Sequence, residues 1–244
     1  MNVVGIVAAL AAETRVLSPM TGKRGALATL MDGSLLAVSG IGCAAAASAA
    51  QALVEAGATA LTSWGMAGGL DPALRAGTIF LPSEVVSAHG AGFTTARYWR
   101  EGLSAAVAER RPVEGGKLLT SLGAIGTVGD KAAAFRATGA LAVDMESIAI
   151  AEIAAAHGLP FIAVRVIVDT AADALPQGIV NASRPGHLKL WRLVAAIALR
   201  PAEFAALVRL AQRYRAASAS LRAIARAGSL GALAFPRTAN AAIP

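Results

Sequence analysis

The sequence lacks what disulfide-linked, metal-binding and membrane-spanning proteins need. Its 244 residues include one cysteine, Cys43, which excludes an internal disulfide framework, and three histidines whose spacing gives no metal site. No stretch of about 20 residues is both apolar and uncharged, which argues against a membrane span. The apolar residues 1–10 have no basic segment before them, so they indicate a buried strand and not a signal sequence. A reducing, cytoplasmic setting is expected.

Charged residues are also few, at 15%, whereas hydrophobic residues make up 56% of the chain. This composition is typical of a folded globular protein and excludes a disordered one. The length allows one large domain with a substantial core. No internal repeat or long low-complexity linker divides the sequence.

Acidic residues are nearly absent from the last quarter of the chain. Residues 184–244 contain ten lysines and arginines but one acid, Glu203, whereas residues 1–183 contain 12 basic and 14 acidic residues. The net charge of +7 therefore combines a body of −2 with a C-terminal part of +9. A near-neutral body with a basic end favours contact with an anionic surface that lies apart from the active site.

Apolar runs and Ala-rich segments alternate along the chain and predict its strands and helices. Strands are expected over 3–10, 27–31, 35–38, 60–64, 118–127 and 160–168, with a further strand entered through 77–82. Helices are expected over 11–17, 43–56, 105–110, 187–199 and from 201 to about 225, with two more beginning at Lys131 and Met145. The turn Asp32-Gly33 predicts a hairpin. This alternation predicts an α/β fold with helices on both faces of the sheet.

Two acidic positions carry the strongest signal of function. Glu146 follows Val143-Asp-Met at the start of an Ala-rich helix, and Asp169 ends the apolar run 160–168. Because the intervening helix has the length of an αβ crossover, both carboxylates can face one crevice at the carboxyl edge of the sheet. A strand-end acid can protonate a leaving group, and a carboxylate can bind vicinal hydroxyls. The pair therefore indicates chemistry on a polar, hydroxyl-bearing small molecule.

The same residues also have structural interpretations, which the sequence leaves open. Asp169 could cap a helix or a turn, and Glu146 could be a first-turn glutamate favoured by the helix dipole. Glu13 could lie on an exposed helix surface. Arg165, inside an apolar strand, needs a buried partner and could serve the structure alone.

Two glycine-rich segments, 39–42 and 65–69, follow predicted strands. Such loops let backbone N–H groups approach an anion, although tight turns use the same residues. Neither segment has the spacing of a Walker or dinucleotide-binding fingerprint, and the sequence contains no nucleophile elbow. The loops therefore give no support to nucleotide-cofactor or serine-hydrolase chemistry.

Seven segments in a fixed order carry a family resemblance. They are Gly5-Ile-Val-Ala-Ala-Leu-Ala-Ala-Glu13, Ser39-Gly-Ile-Gly42, Gly65-Met-Ala-Gly-Gly-Leu70, Gly77-Thr-Ile79, Val128-Gly-Asp130, Val143-Asp-Met-Glu146 and Val164-Arg-Val-Ile-Val-Asp169. In this order and spacing they resemble the nucleoside phosphorylase/nucleosidase family, which includes purine nucleoside phosphorylases and methylthioadenosine/S-adenosylhomocysteine nucleosidases. The resemblance covers about residues 3–173.

This resemblance implies a fold, a reaction and four residue roles. The fold is a three-layer α/β phosphorylase/hydrolase-like fold with a mixed central sheet, followed here by a C-terminal helical extension. The reaction is cleavage of an N-ribosidic bond. Asp169 matches the acid that protonates purine N7, and Glu146 matches the glutamate that binds the ribose hydroxyls. Met145 matches the residue that packs on the sugar, and Glu13 matches the residue that activates water in the nucleosidases.

The resemblance also implies contacts with the base and with the nucleophile. The matching base-binding positions are Val128, Asp130 and Val168, and those for phosphate or water are Ser39, Gly40, Gly65 and Met66. Hexameric phosphorylases bind phosphate with an arginine and a serine near the glycine-rich segment, whereas the aligned residues here are Ser63 and Met66. Val168 also replaces the serine that commonly precedes the acid. No cofactor is expected beyond inorganic phosphate as a co-substrate, and phosphate would need other ligands.

Within the family, the sequence looks most like the hopanoid-associated phosphorylases, through residues 63–72, through 166–173 with Leu175-Pro176, and through the basic C-terminus. That resemblance implies phosphorolysis of adenosylhopane to adenine and a phosphorylated ribosyl hopane. Glu13 motivates the alternative, a phosphate-independent nucleosidase for a soluble adenine nucleoside such as methylthioadenosine or S-adenosylhomocysteine. A non-enzymatic module that binds nucleosides or nucleic acid through the basic tail is a third alternative.

The expected organisation follows from the resemblance and from the charge. Residues 1–183 form a nucleoside phosphorylase-like catalytic domain, 184–227 a basic helical extension packed on that domain or on a membrane surface, and 228–244 a poorly ordered tail. The expected partners are a nucleoside, soluble or lipid-linked, and further copies of the chain in a homo-oligomer, but no nucleic acid. Basic helices near the anionic inner membrane surface contribute about 1 kcal/mol per basic residue, which predicts peripheral membrane contact. A solvated helical face is the alternative.

Overall fold

The computed structural model describes residues 3–18, 25–109, 111–176, 178, 180 and 201–227, with the backbone alone for 201–210. Its strands are β1 Val4–Ala8, β2 Leu27–Thr29, β3 Leu35–Val38, β4 Ala60–Gly69, β5 Ile79–Phe80, β6 Glu84–Ser87, β7 Gly92–Thr94, β8 Val113–Glu114, β9 Lys117–Thr120, β10 Ala142–Asp144 and β11 Phe161–Asp169. Its helices are α1 Ala11–Thr14, α2 Cys43–Glu55, α3 Arg97–Ala108, α4 Val128–Thr138, α5 Ser147–Ala156 and α6 Pro201–Ala227.

These strands form one mixed sheet, which confirms the predicted architecture. The main order is β2-β3-β1-β4-β10-β9-β6-β7. β1 and β11 lie parallel to β4, whereas β10 runs antiparallel to it. β11 also pairs with β5, and β5 pairs with β8, so the sheet branches beside β4. The hairpin predicted across Asp32-Gly33 is present as the antiparallel pair β2 and β3.

Two short strands meet end to end beside β4. β1 pairs with residues 60–64 of β4, and β10 pairs with residues 68 and 69. Because β11 pairs with the opposite edge of β4 over residues 61–68, β1 and β10 must share the remaining edge. β10 runs against β4, so the carboxyl ends of β1 and β10 point toward each other. The residues that follow both strands are therefore brought together beside the middle of β4.

Helices cover both faces of the sheet and make three layers. Alternate residues of β11 enter two different hydrophobic clusters: Phe161, Ala163 and Ile167 in one, and Ile162, Val164 and Val166 in the other. The first cluster includes buried residues of α2 and α5, and the second includes buried residues of α3 and α6. This alternation explains why β11 is apolar along almost its whole length, since a strand covered on both faces has no solvent side.

The helix predicted from residue 201 to about 225 is present as α6, and it belongs to the packed core. Ala217, Leu221 and Ile224 are buried against the sheet, and Ser220 Oγ donates a hydrogen bond to the Gly77 carbonyl at 2.6 Å. Each buried Leu or Ile contributes about 1.5–3 kcal/mol. The predicted helix over 187–199 and the tail over 228–244 lie outside the described residues.

The region between β9 and α4 differs from its prediction. β9 ends at Thr120, although a strand was expected to continue to Thr127. Thr127 is instead the N-cap of α4, because its Oγ1 accepts a hydrogen bond from the Asp130 N–H at 3.0 Å. The helix expected to begin at Lys131 therefore starts at Val128.

Other differences concern the shortest elements, the ends of helices, and β4, which continues through the glycine-rich segment 65–69 that was expected to be a loop. The hairpin of β6 and β7 and the short strands β8 and β10 were not expected, because two to four residues carry too little periodicity to be recognised. α1 stops at Thr14, and α3 begins at Arg97, eight residues before the predicted helix. Within the part of the chain that the structure describes, no helix is long and apolar enough to cross a membrane.

Candidate active site

The candidate site lies where β1 and β10 end beside β4. Glu13 is on α1, which follows β1, and Asp169 ends β11. A Cβ added at Gly65 would lie 2.7 Å from Glu13 Oε1, and one added at Gly68 would lie 3.1 Å from Asp169 Oδ2. Glu13 and Asp169 therefore both lie against the C-terminal half of β4, Glu13 beside Gly65 and Asp169 beside Gly68.

Glu13 is buried and is held by two backbone amides. Its Oε1 accepts a hydrogen bond from the Met66 N–H, and its Oε2 accepts one from the Leu10 N–H, both at 3.0 Å. The second bond also caps the first turn of α1. Burial raises the pKa of Glu13, and the positive charge of Arg165 opposes this rise. The exposed-helix interpretation of Glu13 is therefore wrong, and its carboxyl group is a buried acceptor of two backbone hydrogen bonds.

Glu146 precedes α5 as its N-cap residue and closes the glycine loop. Its Oε1 accepts a hydrogen bond from the Gly42 N–H at 2.9 Å, and its Oε2 accepts one from the Met145 N–H at 3.3 Å. Burial and the neighbouring Asp144 raise the pKa of Glu146 to about 7. The helix expected from Met145 begins two residues later, at Ser147. Glu146 is therefore a buried acceptor that ionises near neutral pH.

The segment Ser39–Gly42 is held by its own backbone and by Glu146. Ser39 Oγ donates to the Gly40 carbonyl at 2.7 Å and to the Ala8 carbonyl at 3.3 Å. Gly40 and Gly42 have φ angles of 91° and 100°, which other residues rarely adopt. The loop therefore ends with the Gly42 N–H directed at the Glu146 carboxylate. Contacts of Ser39 and Gly40 with phosphate or water stay a prediction.

A buried arginine connects three strands beneath the site. Arg165 Nε and Nη2 donate to Asp144 Oδ2 at 2.9 and 2.7 Å. Nη2 also donates to Ser63 Oγ at 2.6 Å and to Ser147 Oγ at 2.9 Å, and Asp144 Oδ1 accepts from Thr120 Oγ1 at 2.7 Å. A buried arginine needs a partner of opposite charge, and for Arg165 that partner is Asp144. That aspartate lies in the motif that contains Glu146, but nothing in its local sequence distinguished it.

A second cation lies at the other end of the site. Lys131 Nζ donates to Asp169 Oδ2, to the Thr170 carbonyl at 2.8 Å and to the Asp173 carbonyl at 3.0 Å. Burial raises the pKa of Asp169, while the ammonium group of Lys131 acts in the opposite direction. From the sequence, Lys131 was expected only to begin a helix, with no role at the site.

Helix α6 also reaches this end of the site. Arg213 of α6 forms an ion pair with Asp173, whose Oδ2 accepts hydrogen bonds from the Thr170 N–H at 2.9 Å and from Thr170 Oγ1 at 2.7 Å. The loop that follows Asp169 is therefore fixed by a residue from the C-terminal helix.

The positions assigned to the base and to the sugar are less enclosed. Val128 is 45% exposed, and Asp130 Oδ2 accepts a hydrogen bond from Thr127 Oγ1 at 2.6 Å as part of the α4 cap. Val168 and Met145 are partly buried. Their contacts with the base and the sugar stay predictions.

The charges divide the site into two ends. The acidic end is defined as Glu13, Asp144, Glu146 and Arg165, and it has three carboxyl groups against one cation. The balanced end is defined as Asp169, Lys131, Asp173 and Arg213, and it has two carboxyl groups against two cations. Arg165 is already bonded to Asp144. The acidic end therefore favours a positive charge that develops close to it.

Substitution of Gly65 tests how tightly Glu13 and Arg165 pack against β4. Substituting Gly65 with alanine would place a Cβ 2.7 Å from Glu13 Oε1 and 3.2 Å from Arg165 Nη1, so we expect the free energy of unfolding to fall by about 1–3 kcal/mol. Gly102 on α3 has no atom within 4 Å of an added Cβ, and Gly102→Ala is expected to change stability by less than about 1 kcal/mol, in the stabilising direction. Equal denaturant midpoints for the two variants would show that Gly65 is not tightly packed.

The sequence that forms this site matches a known protein family. Residues 3–184 match the sequence model of a family described as the Phosphorylase superfamily. The match includes Glu13, Lys131, Glu146 and Asp169, and it ends before α6. No curated protein sequence matches the chain.

Solved structures share the fold at low sequence identity. A 5′-methylthioadenosine/S-adenosylhomocysteine nucleosidase from Neisseria meningitidis, in complex with methylthio-immucillin-A, matches with a TM-score of 0.71 and 20% identity over 94% of this chain and 100% of that chain. The futalosine hydrolase of Helicobacter pylori matches with a TM-score of 0.65 and 15% identity over 92% of this chain and 97% of that chain. A putative 5′-methylthioadenosine/S-adenosylhomocysteine nucleosidase from Francisella philomiragia matches with a TM-score of 0.63 and 21% identity over 81% of this chain and 100% of that chain.

Proposed function

The chain belongs to the phosphorylase superfamily, and from that membership we propose that it hydrolyses the N-ribosidic bond of an adenine nucleoside. The acidic end of the site is the observation that carries the proposal. Its three carboxyl groups surround the single cation Arg165, which is already paired with Asp144.

The charge of the acidic end favours the sugar and water over phosphate. Breaking an N-ribosidic bond leaves positive charge on the ribose, and nearby carboxylates stabilise that charge. The same groups, when they are ionised, repel a phosphate anion. Within the described residues, Arg165 is the cation of the acidic end, and its Nε and Nη2 are bonded to Asp144, Ser63 and Ser147. Water is therefore the nucleophile that this arrangement supports best.

Each acid then has a separate role. Asp169 lies at the balanced end and donates a proton to N7 of the departing adenine. Ionised Glu146 accepts hydrogen bonds from the ribose hydroxyls, and Met145 packs against the sugar. Glu13, held by the amides of Leu10 and Met66, takes a proton from the attacking water.

The names of the structural neighbours support the choice of substrate class. The Neisseria meningitidis and Francisella philomiragia proteins are named for 5′-methylthioadenosine and S-adenosylhomocysteine, which are both adenine nucleosides. The Helicobacter pylori neighbour is named as a hydrolase. We extend to this chain the adenine nucleoside that the first two names give and the hydrolysis that the third gives.

Substitution of Glu13 tests the nucleophile. We expect Glu13→Gln to lower kcat for adenine release by about 100-fold or more, because the amide cannot accept the proton of water. Addition of phosphate should change the rate of neither protein. Glu55→Gln, a change at an exposed glutamate of α2, is the matched control and should be as active as the wild type. A rate that rises with phosphate, together with an active Glu13→Gln variant, would overturn hydrolysis.

Phosphorolysis of adenosylhopane is the second candidate, and the charge of the C-terminal region favours it. Residues 184–244 carry +9, and Arg215, Arg222 and Arg226 are exposed on α6. Spaced by seven and four residues, they lie along one side of the helix and suit an anionic membrane surface. A lipid-linked nucleoside would be presented at such a surface.

The same assay separates the two candidates. Adenine release is measured from methylthioadenosine and from a lipid-linked adenosine in anionic vesicles, each with and without phosphate. Turnover of the lipid-linked substrate that requires phosphate would establish the second candidate. Phosphate-independent turnover of methylthioadenosine would establish the first.

A further inference from the structure

Asp169 is followed by a tight turn, residues 170–173, which we call the acid turn. Asp173 Oδ2 accepts hydrogen bonds from the Thr170 N–H at 2.9 Å and from Thr170 Oγ1 at 2.7 Å. The Asp173 N–H also donates to the Thr170 carbonyl at 3.0 Å. The first residue of this turn is bonded directly to Asp169, so the position of the acid turn sets the position of the Asp169 backbone.

Lys131 holds the side chain of Asp169 against the same turn. Its ammonium group donates to Asp169 Oδ2, and it also donates to the Thr170 carbonyl at 2.8 Å and to the Asp173 carbonyl at 3.0 Å. These acceptors use all three N–H bonds of the ammonium group. Within the residues that the structure describes, Asp169 Oδ1 has no hydrogen bond, so this oxygen stays available to the leaving base. The direction of Oδ1 therefore depends on where the acid turn lies.

The sheet alone does not hold Asp169 in a regular register. The pairing of β11 with β4 shifts after Ile167. Asp169 pairs with Gly68, where an uninterrupted ladder would pair it with Gly69. Such a β-bulge disrupts the ladder and re-aims the side chains beside it. The orientation of Asp169 must therefore be maintained by contacts from outside the sheet.

Helix α6 makes contacts on both sides of Asp169. On the C-terminal side, Arg213 forms an ion pair with the carboxylate of the acid turn. On the N-terminal side, the Ile167 carbonyl accepts a hydrogen bond from the Gly77 N–H at 2.8 Å. The Gly77 carbonyl accepts one from Ser220 Oγ of α6 at 2.6 Å. One helix thus supports both the strand that precedes the acid and the turn that follows it.

The packing of α6 does not depend on Arg213. Ala217, Leu221 and Ile224 bury the helix against the sheet. The family match ends at residue 184, before α6 begins at Pro201, so it does not include the contact that Arg213 makes. Arg213 therefore adds a specific contact to a helix that is already anchored.

We propose that Arg213 is a positioning residue for the leaving-group acid: it holds the acid turn and so keeps Asp169 Oδ1 directed at N7 of the departing adenine. Arg213 acts only through Asp169, since its ion pair is with the turn. The inference rests on the proposed function, because it requires Asp169 to protonate a leaving adenine. It does not depend on the nucleophile, since the same base leaves whether water or phosphate attacks.

Arg213→Met tests this role. Displacement of a reacting group by about 1 Å can cost roughly 100-fold in rate, and Lys131 still holds Asp169 in this variant, so we expect kcat for adenine release to fall by about tenfold. KM should change by less than about twofold, because the groups assigned to the ribose lie at the acidic end. The Arg213 and Asp173 side chains are 29% and 17% exposed, so the melting temperature should fall only slightly.

Two further variants and one control accompany this substitution. Arg213→Lys keeps a positive charge at this position and should recover most of the lost kcat. Asp173→Asn weakens the same ion pair from its other partner and should lower kcat by a similar factor. Gln212→Met makes a matching replacement at the exposed neighbouring residue of α6, and should leave kcat unchanged.

The same substitution in the Asp169→Asn background decides whether Arg213 acts through the acid. Once residue 169 cannot donate a proton, its orientation no longer matters, so Arg213→Met should lower the residual kcat by less than about twofold. A similar fall in both backgrounds would show that Arg213 acts on another group, and would overturn the inference. An Arg213→Met variant with the kcat of the wild type would also overturn it.

These measurements separate the inference from the proposed function. If the wild type releases no adenine, with or without phosphate, the proposed function fails and the inference fails with it. If the wild type releases adenine, Asp169→Asn is slow and Arg213→Met is fully active, the proposed function stands and only the positioning role of Arg213 fails.

Discussion

Replacing Asp169 with asparagine is expected to lower kcat for adenine release by about 100- to 10,000-fold, because asparagine cannot donate the proton that the leaving base requires. Asp169 is buried at the end of β11, and burial raises its pKa while the ammonium group of Lys131 opposes this rise. KM should change much less than kcat, since the groups assigned to the ribose lie at the acidic end. The measurement is steady-state adenine release, with nucleoside binding followed separately.

Asp32→Asn is the matched control for this prediction. Asp32 lies in the exposed turn between β2 and β3, where its Oδ1 accepts a hydrogen bond from the Ser34 N–H at 3.0 Å. Asparagine preserves that contact, so the control should be as active as the wild type. If Asp169→Asn turned over substrate as fast as the wild type does, Asp169 would not be the acid that protonates the leaving base.

Replacing Arg165 with methionine is expected to lower the free energy of unfolding by about 3–5 kcal/mol, because Asp144 would be left as a buried charge without its partner. The two side chains are 3% and 1% exposed, so water cannot replace the lost interaction. Ser63 and Ser147 would also lose the guanidinium donor. Denaturant unfolding of the variant measures this loss.

An exposed ion pair provides the comparison. Arg97 and Glu101 form a salt bridge at 2.7 Å on the surface of α3, where both side chains are more than half exposed. Arg97→Met should therefore cost less than about 1 kcal/mol. Equal stabilities for Arg97→Met and Arg165→Met would contradict the buried network. Adding Asp144→Asn to Arg165→Met should recover part of the lost stability, since no buried charge then remains.

The elements that the sequence predicted correctly have strong local causes. β11 is apolar because both of its faces are covered, and the β2–β3 hairpin follows from the Asp32-Gly33 turn. α6 was predicted as a helix, and it packs Ala217, Leu221 and Ile224 against the sheet. Asp169 and Glu146 could be identified because each is a carboxylate beside an apolar or Ala-rich segment.

The parts that the sequence did not predict depend on contacts between distant segments. β10 has three residues, and its antiparallel position beside β4 is determined by the space that β1 leaves along that edge. The pairing of Arg165 with Asp144 crosses 21 residues of sequence, and that of Lys131 with Asp169 crosses 38. A lysine in the first turns of a helix is usually exposed, so its sequence context gave no reason to place Lys131 beside the acid.

The central claim is that water attacks the ribose at the acidic end of the site. Its most direct test is the identity of the sugar product when the enzyme acts on methylthioadenosine in ¹⁸O-labelled water that contains phosphate. We expect a free sugar that carries one ¹⁸O atom at C1′, formed at the same rate as adenine. A sugar 1-phosphate without ¹⁸O at C1′ would contradict the account and establish phosphorolysis.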